Sequence, residues 1–356
     1  MSAHRTRSGY VIGALAALTL TACGSSGASS LSQSVQLPAA TTSPAASQSA
    51  GQAPAASSGS CGSGTRVGSA SDLRSALANA RPGETIVLAP GVYQGDFQAT
   101  VSGTAAVPIT LCGPRSAVLQ GDSIKSGYTF HLDHASYWRV EGFTVQGGQK
   151  GVMTDGASNV LISGLYVHGT GDEAIHLRDF SNYDTVSHNV VRDTGLLVAF
   201  YGEGIYVGSA NKNWCKYSGC RPDASDHDVI TGNDISNTTA ENIDIKEGTA
   251  GGTISGNHLD GAGMDSSAAT SWINVKGNDW TVTGNTGVDS IGNGFSVHQV
   301  YPGWGLGNVF RGNEITVNGP GYGIYVQSKH LNTLVGCDNT VSGAQSGFST
   351  VTCSPA

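Results

Sequence analysis

Apolar and polar positions alternate in short runs along most of the chain, and the runs themselves recur. Each unit reads V-I-x-G-N-x-(apolar), a turn, then G-I-(polar)-V-(polar), as in 228–248 (DVITGNDISNTTAENIDIKEG), 252–278, 280–300 and 308–328. Weaker copies run through 137–156, 159–179 and 184–209, and a last one, 332–353, ends the series. The Asn of the G-N pair falls at Asn189, Asn233, Asn257, Asn285 and Asn313, with Cys337 in the next place; the steps are 44, 24, 28, 28 and 24 residues, the long one holding an insertion. A period of two within each run predicts strands. A repeat in the twenties with two or three strands per unit predicts a parallel β-solenoid, each strand stacked about 4.8 Å from its equivalent in the next coil. The Asn column then forms an amide ladder, a structural role.

Ahead of the repeats, Ser71–Ala80 carries a polar cap and apolar residues at helical spacing, and Pro82-Gly83 ends it. Glu84–Tyr93 reads as the first strands. A helix placed there predicts a cap over the open end of the solenoid.

The first sixty residues differ in kind. His4, Arg5 and Arg7 precede an apolar run, Tyr10–Leu20, too short to span a bilayer. The run leads to Leu20-Thr21-Ala22-Cys23, which resembles a bacterial lipobox, so 1–22 is expected to be an export signal and Cys23 the lipid-bearing first residue of the mature protein. Residues 23–60 are almost all Ser, Ala, Gly, Gln, Pro and Thr, a composition that buries too little apolar surface to fold and predicts a tether. The folded domain is expected over 61–356, on the outer face of the cytoplasmic membrane or shed. With 51 Gly in 356 residues and only 12% charged, many strands joined by tight turns are favoured over helices. A net charge of −8 without any Lys/Arg run argues against nucleic acid. The lipid is the one expected membrane contact, and a monomer is expected. Six cysteines remain after Cys23, an even number in an exported chain. Fifteen pairings are open; sequence neighbours are preferred, namely Cys61–Cys112, Cys215–Cys220 and Cys337–Cys353. None has zinc-site spacing.

Candidate chemistry comes from aligning the strand after the turn in successive coils. Alternation points the Ile, Val, Phe and Leu positions inward and leaves two outward columns. One is His176, Tyr206, Asp244, Asn274, Ser296, Tyr325; the other is Arg178, Gly208, Lys246, Lys276, His298, Gln327. Two residues before the inward Ile stand Glu173, Glu203 and Glu241, whose parity leaves open whether they bend outward or lie buried and paired. Stacked acids repel, and a cation relieves them, so Ca²⁺ on Glu203, Glu241, Asp244 and Glu173 is one expectation, with Asp172, Asp179 and Glu247 nearby. Stacked Lys246 and Lys276 are expected to depress each other's pKa and supply a neutral amine. Removal of the C5 proton of a uronate needs such a base, a cation for the enolate, and an acid for the departing O4. Lys246 is the candidate base with Lys276 beside it, Arg178 the carboxylate partner, and His298 or Tyr206 the acid. His176, Asn274, Tyr325 and Gln327 are expected to bind substrate. The insertion 209–227 adds Trp214 and Tyr217, held by a short disulfide, and Trp304 follows the His298 strand; such rings suit sugar faces, though a structural plug is the alternative for the loop.

The phrase RPGETIVLAPGVYQG followed by V-I-x-G-N repeats resembles the pectin-lyase-like family of right-handed parallel β-helix proteins, over roughly 66–353 and nearest its chondroitinase B and alginate lyase branch. The resemblance implies a right-handed helix and a polysaccharide lyase, often with a Lys or Arg base and Ca²⁺ on the substrate carboxylate. It leaves two other readings open: a glycoside hydrolase using Glu203, Glu241 and Asp244, and a non-catalytic carbohydrate-binding envelope protein.

Overall fold

The computed structural model describes residues 61–355, and the expected export signal, Cys23 and the tether lie outside them. The described residues form a right-handed parallel β-helix of about ten turns, its walls three parallel sheets of 11, 10 and 10 strands. Every coil contributes one short strand to each sheet. Inward positions stack like on like: Ile162, Val186, Ile230, Ile254, Val282 and Phe310 are in register along the first sheet and fully buried. Ile175, Ile205, Ile243, Ile273, Phe295 and Ile324 do the same along the third. Burying each such side chain contributes about 1.5–3 kcal/mol. Where the second sheet places Gly287 in its inward column, the Trp272 ring takes the space, and a Cβ there would lie 2.4 Å from it.

The predicted Asn ladder is present. Asn189, Asn233, Asn257 and Asn285 each donate, from the backbone N–H and from Nδ2, to the Oδ1 of the next coil's Asn, all at 2.9–3.0 Å. Its last rung is Asn339, whose Oδ1 accepts from Asn313 at 3.0 and 2.8 Å, and not Cys337 as the spacing led us to expect. The last coil carries two extra residues before its ladder position, and Cys337 instead bonds Cys353. All three neighbour disulfides are formed.

The capping helix spans Ala70–Ala78, with Ser69 accepting from the Asp72 N–H at 3.1 Å and Leu73 and Leu77 buried on the first coil. The insertion folds as the turns Asn211–Asn213 and Trp214–Tyr217. It is moored by the buried Asp223 carboxylate, which accepts from the N–H groups of Asp179 (3.1 Å) and Phe180 (3.0 Å) and from Ser209 Oγ (2.7 Å). Among the described residues no helix is long and apolar enough to cross a membrane.

Candidate active site

Register along the third sheet places His176, Tyr206, Asp244, Asn274, Ser296 and Tyr325 in one column, as the alternation predicts, and extends it through Met153, His131 and Gln98. The column is not a solvated face. His176, Tyr206, Asp244, Asn274 and Ser296 are all buried, and the insertion and the segment around Phe200 and Tyr201 wall in the first two. What remains open is a cleft of about 710 Å³ whose walls include Tyr128, Lys150, Glu173, His176, Arg178, Glu203, Tyr206, Tyr217 and Lys246.

The three glutamates stack in adjoining coils, the carbonyls of Glu173, Glu203 and Glu241 accepting from Gly151, Ala174 and Gly204. Their carboxylates are buried, which settles the parity question. Glu173 is paired with Lys150 and lies 3.5 Å from His176 Nδ1. Glu241 accepts from Asn274 Nδ2 at 2.9 Å. Glu203 keeps Oε2 without a partner and faces the cleft. Burial, then the Glu173 charge, pushes the Glu203 pKa well above the carboxylate range. Burial, then Asp244, raises that of Glu241.

Asp244 is the hub. Lys246 Nζ lies 2.6 Å from one of its oxygens and Lys276 Nζ bonds the other. Burial would raise the Asp244 pKa, but the two ammoniums reverse this and hold it low. For Lys246 burial works downward, and Asp244, then Tyr206 and Glu203, outweigh it, leaving the pKa well above the usual lysine value. The expected depression of Lys246 by Lys276 is therefore corrected: a shared carboxylate between the two side chains turns their repulsion into a bridge. Lys246 Nζ also sits 4.7 Å from the centre of the Tyr206 ring. The Tyr206 hydroxyl has a pKa pushed well up by burial, and none of the hydrogen bonds among the described residues uses it. His176 packs edge-on to that ring at 4.3 Å and donates from Nε2 to the Gly208 carbonyl at 2.9 Å; burial lowers its pKa.

Arg178 is fixed by a two-pronged pair with Asp155 (2.6 and 2.9 Å), and its guanidinium carbon lies 3.7 Å from the centre of the Tyr217 ring. Tyr217 reaches the cleft as expected. Trp214 does not: its buried indole donates to the Ser209 carbonyl at 3.0 Å and packs on Tyr301 at 5.1 Å, so it plugs the base of the loop. His298, Asn274, Tyr325, Gln327 and Trp304 lie further along the helix axis, outside the cleft lining. There His298 Nδ1 donates to Asn274 Oδ1 at 2.8 Å and its pKa is lowered by burial and then Lys276, while Gln327 Oε1 accepts from the Gln299 N–H at 2.7 Å. Lys150, Asp155 and Tyr128 escaped the sequence reading. Carrying the alternation one strand back, to Lys150–Asp155, would have found the first two.

Carboxylate oxygens of Glu203, Glu241 and Asp244 lie within 4.8 Å of one another, a buried acidic cluster of hard donors. Their composition suits Ca²⁺. Their surroundings do not: Lys246 and Lys276 stand on both Asp244 oxygens, where a metal would need open donors. Asp172 Oδ2 accepts from Gln149 at 2.8 Å while its Oδ1 is buried without a partner, and Glu247 accepts from the Asn211 N–H at 2.6 Å.

A family described as periplasmic copper-binding protein (NosD) matches residues 99–297. The alginate lyase from Paenibacillus sp. str. FPU-7 is 35% identical and superposes with a TM-score of 0.74 over 81% of this chain and 98% of that one. The periplasmic alginate epimerase AlgG (12% identity, TM-score 0.52, 76% of this chain and 61% of that one) shares the fold. So does tailspike protein 2 of bacteriophage CBA120 (12%, 0.56, 80% and 44%). No curated protein matches. Copper favours imidazole and sulfur donors, and the acidic cluster offers neither. With more than half its length matched, the chain belongs to the β-helix family described as periplasmic copper-binding protein (NosD) and is a relative of the Paenibacillus alginate lyase.

Proposed function

We propose that this protein is an exported polysaccharide lyase that cleaves a uronate-containing chain by β-elimination in the cleft beside Lys246 and Tyr206. The observation that carries the reading is the charge of that cleft. Five cations, Lys150, Arg178, Lys212, Lys216 and Lys246, line it against three acids, Asp172, Glu173 and Glu203, in a chain whose net charge is −8. A polyanion can bind there, and a proton-transfer pair stands on the cleft floor. The likeness to an alginate lyase at 35% identity supports the same class of substrate.

In the elimination Lys246 Nζ takes the C5 proton, the C4–O4 bond breaks as the C4–C5 double bond forms, and the Tyr206 hydroxyl gives its proton to O4. This leaves an ammonium beside a phenolate, and the proton passes back from the first to the second for the next cycle. Lys246 is protonated at rest, so the active form is the pair that has lost one proton. Charge that develops on the substrate carboxylate is met by the surrounding Lys and Arg side chains. The arrangement supports no step through a metal.

The test mixes the purified protein with a panel of uronate polymers and follows the far-ultraviolet absorbance of the new conjugated double bond, with and without EDTA. Absorbance is expected to rise in both, and Lys246→Met to lower kcat/KM by about 10²–10⁴. New reducing ends without absorbance would sink elimination and point to hydrolysis by Glu203 with a second acid. Polymer binding without turnover would leave a binding protein. Export is supported by the family's periplasmic description and the three disulfides. The anchor at Cys23 predicts that Cys23→Ser releases the protein from the membrane fraction.

A further inference from the structure

One corner of the helix, on the first sheet and away from the cleft, carries aromatic rings where the backbone resists them. The N–H groups of Tyr137, Asn159, Tyr183, His227, Gly251 and Asp279 each donate to a carbonyl of the following coil at 2.8–3.0 Å, so these residues form one column. Their φ angles run from +56° to +71°. This left-handed conformation suits Gly, Asn and Asp, whereas a bulky residue there costs about 1–2 kcal/mol. Tyr137, Tyr183 and His227 hold it nonetheless. Core packing does not explain Tyr183, which is 58% exposed. The His227 ring stacks on it with centroids 4.9 Å apart and planes 16° from parallel. Between Tyr137 and Tyr183, two coil steps or about 9–10 Å apart, lies a groove of about 260 Å³ that Asn159 and Arg139 also line. Arg139 is exposed, and none of the ion pairs among the described residues includes it.

We propose that this corner is a second carbohydrate-binding site, where the rings of Tyr137 and Tyr183 lie against sugar C–H faces and Arg139 meets a carboxylate of the same acidic polymer. Flat rings two coils apart with a free cation between them match a short stretch of polyuronate laid along the helix axis. A hold on the polymer outside the cleft raises its concentration at the cleft without taking part in the chemistry. The choice of an acidic sugar rests on the lyase reading; the ring column and the groove do not.

The probe is alginate cast into a native gel, with Lys246→Met as the parent so that the polymer stays whole. Glycine suits the backbone at both positions, as Gly251 does in the same column, so Tyr137→Gly/Tyr183→Gly is built on the parent; Arg139→Gln repeats the test without touching the backbone. The dissociation constant read from mobility is expected to weaken about tenfold for the double variant and about threefold for Arg139→Gln. The same substitutions in the active protein leave turnover of a tetrasaccharide unchanged. A parent that alginate does not retard, or variants that all bind within about twofold of it, overturns the second site. Loss of retardation in the variants when the wild type turns over no tetrasaccharide would uphold the corner and count against the lyase reading, so the two fail separately.

Discussion

At rest Lys246 and Tyr206 both carry their protons, and that fixes a pH dependence. Both pKa values are displaced upward, Lys246 because Asp244 outweighs burial and Tyr206 because burial disfavours the phenolate. One proton must leave the pair before the C5 proton can be taken. Below the lower of the two pKa values the competent fraction grows about tenfold per pH unit. A plot of log kcat/KM against pH should therefore climb with a slope near one from neutrality upward, until the fold gives way. A maximum at or below neutrality would show that another group, such as the neutral His176, accepts the proton. Which residues share this column was legible from the alternation alone, since His176, Tyr206 and Asp244 each stand between two inward neighbours in their coil. The charge state was not. It depends on Asp244 lying between two lysines from different coils, a distance that no local pattern contains.

At the scale of the element, the ladders explain both what could be read and what could not. The Asn ladder announced itself because every rung uses the same G-N phrase; the last rung, Asn339, was hidden by a longer approach to it. A second, mixed ladder went unread. Asp184 and Asp228 accept from the N–H groups of Val160 (2.9 Å) and Asp184 (2.8 Å) on Oδ1 and leave Oδ2 buried without a partner. In the same column, Asn308 accepts from Trp280 and donates from Nδ2 to the Gly277 carbonyl at 3.0 Å, satisfying both ends. Burial raises the Asp184 pKa well above its ordinary value. A raised folded-state pKa means that the carboxyl's contribution is intact below about pH 4 and is lost as pH climbs through the folded value. Asp184→Asn keeps the acceptor and removes that loss. The variant should match the wild type's thermal midpoint near pH 4 and exceed it at pH 8, by about 2–4 °C for each kcal/mol recovered. An equal difference at both pH values, or a lower midpoint at pH 8, would mean that the Nδ2 group finds no acceptor there.

Taken over the whole molecule, net charge and local charge point in opposite directions. Composition gives −8, which by itself repels a polyanion. Folding gathers Lys150, Arg178, Lys212, Lys216 and Lys246, from four separate stretches of sequence, onto one cleft. That reversal was invisible before the coils were stacked, because the insertion bearing Lys212 and Lys216 has no repeat pattern to place it; the solenoid itself was plain from the period. The acidic remainder of the surface and the basic cleft set up a field that a uronate chain feels before contact, and salt weakens it over the Debye length, about 10 Å at 0.1 M. Attraction of this kind acts on capture, whereas the Lys246–Asp244–Lys276 cluster is buried and little screened. Raising ionic strength from roughly 0.05 to 0.5 M should therefore raise KM for the polymer several-fold and leave kcat within about twofold. If kcat falls instead while KM holds, the exposed cations are not what binds the chain, and the buried cluster must open to solvent during turnover.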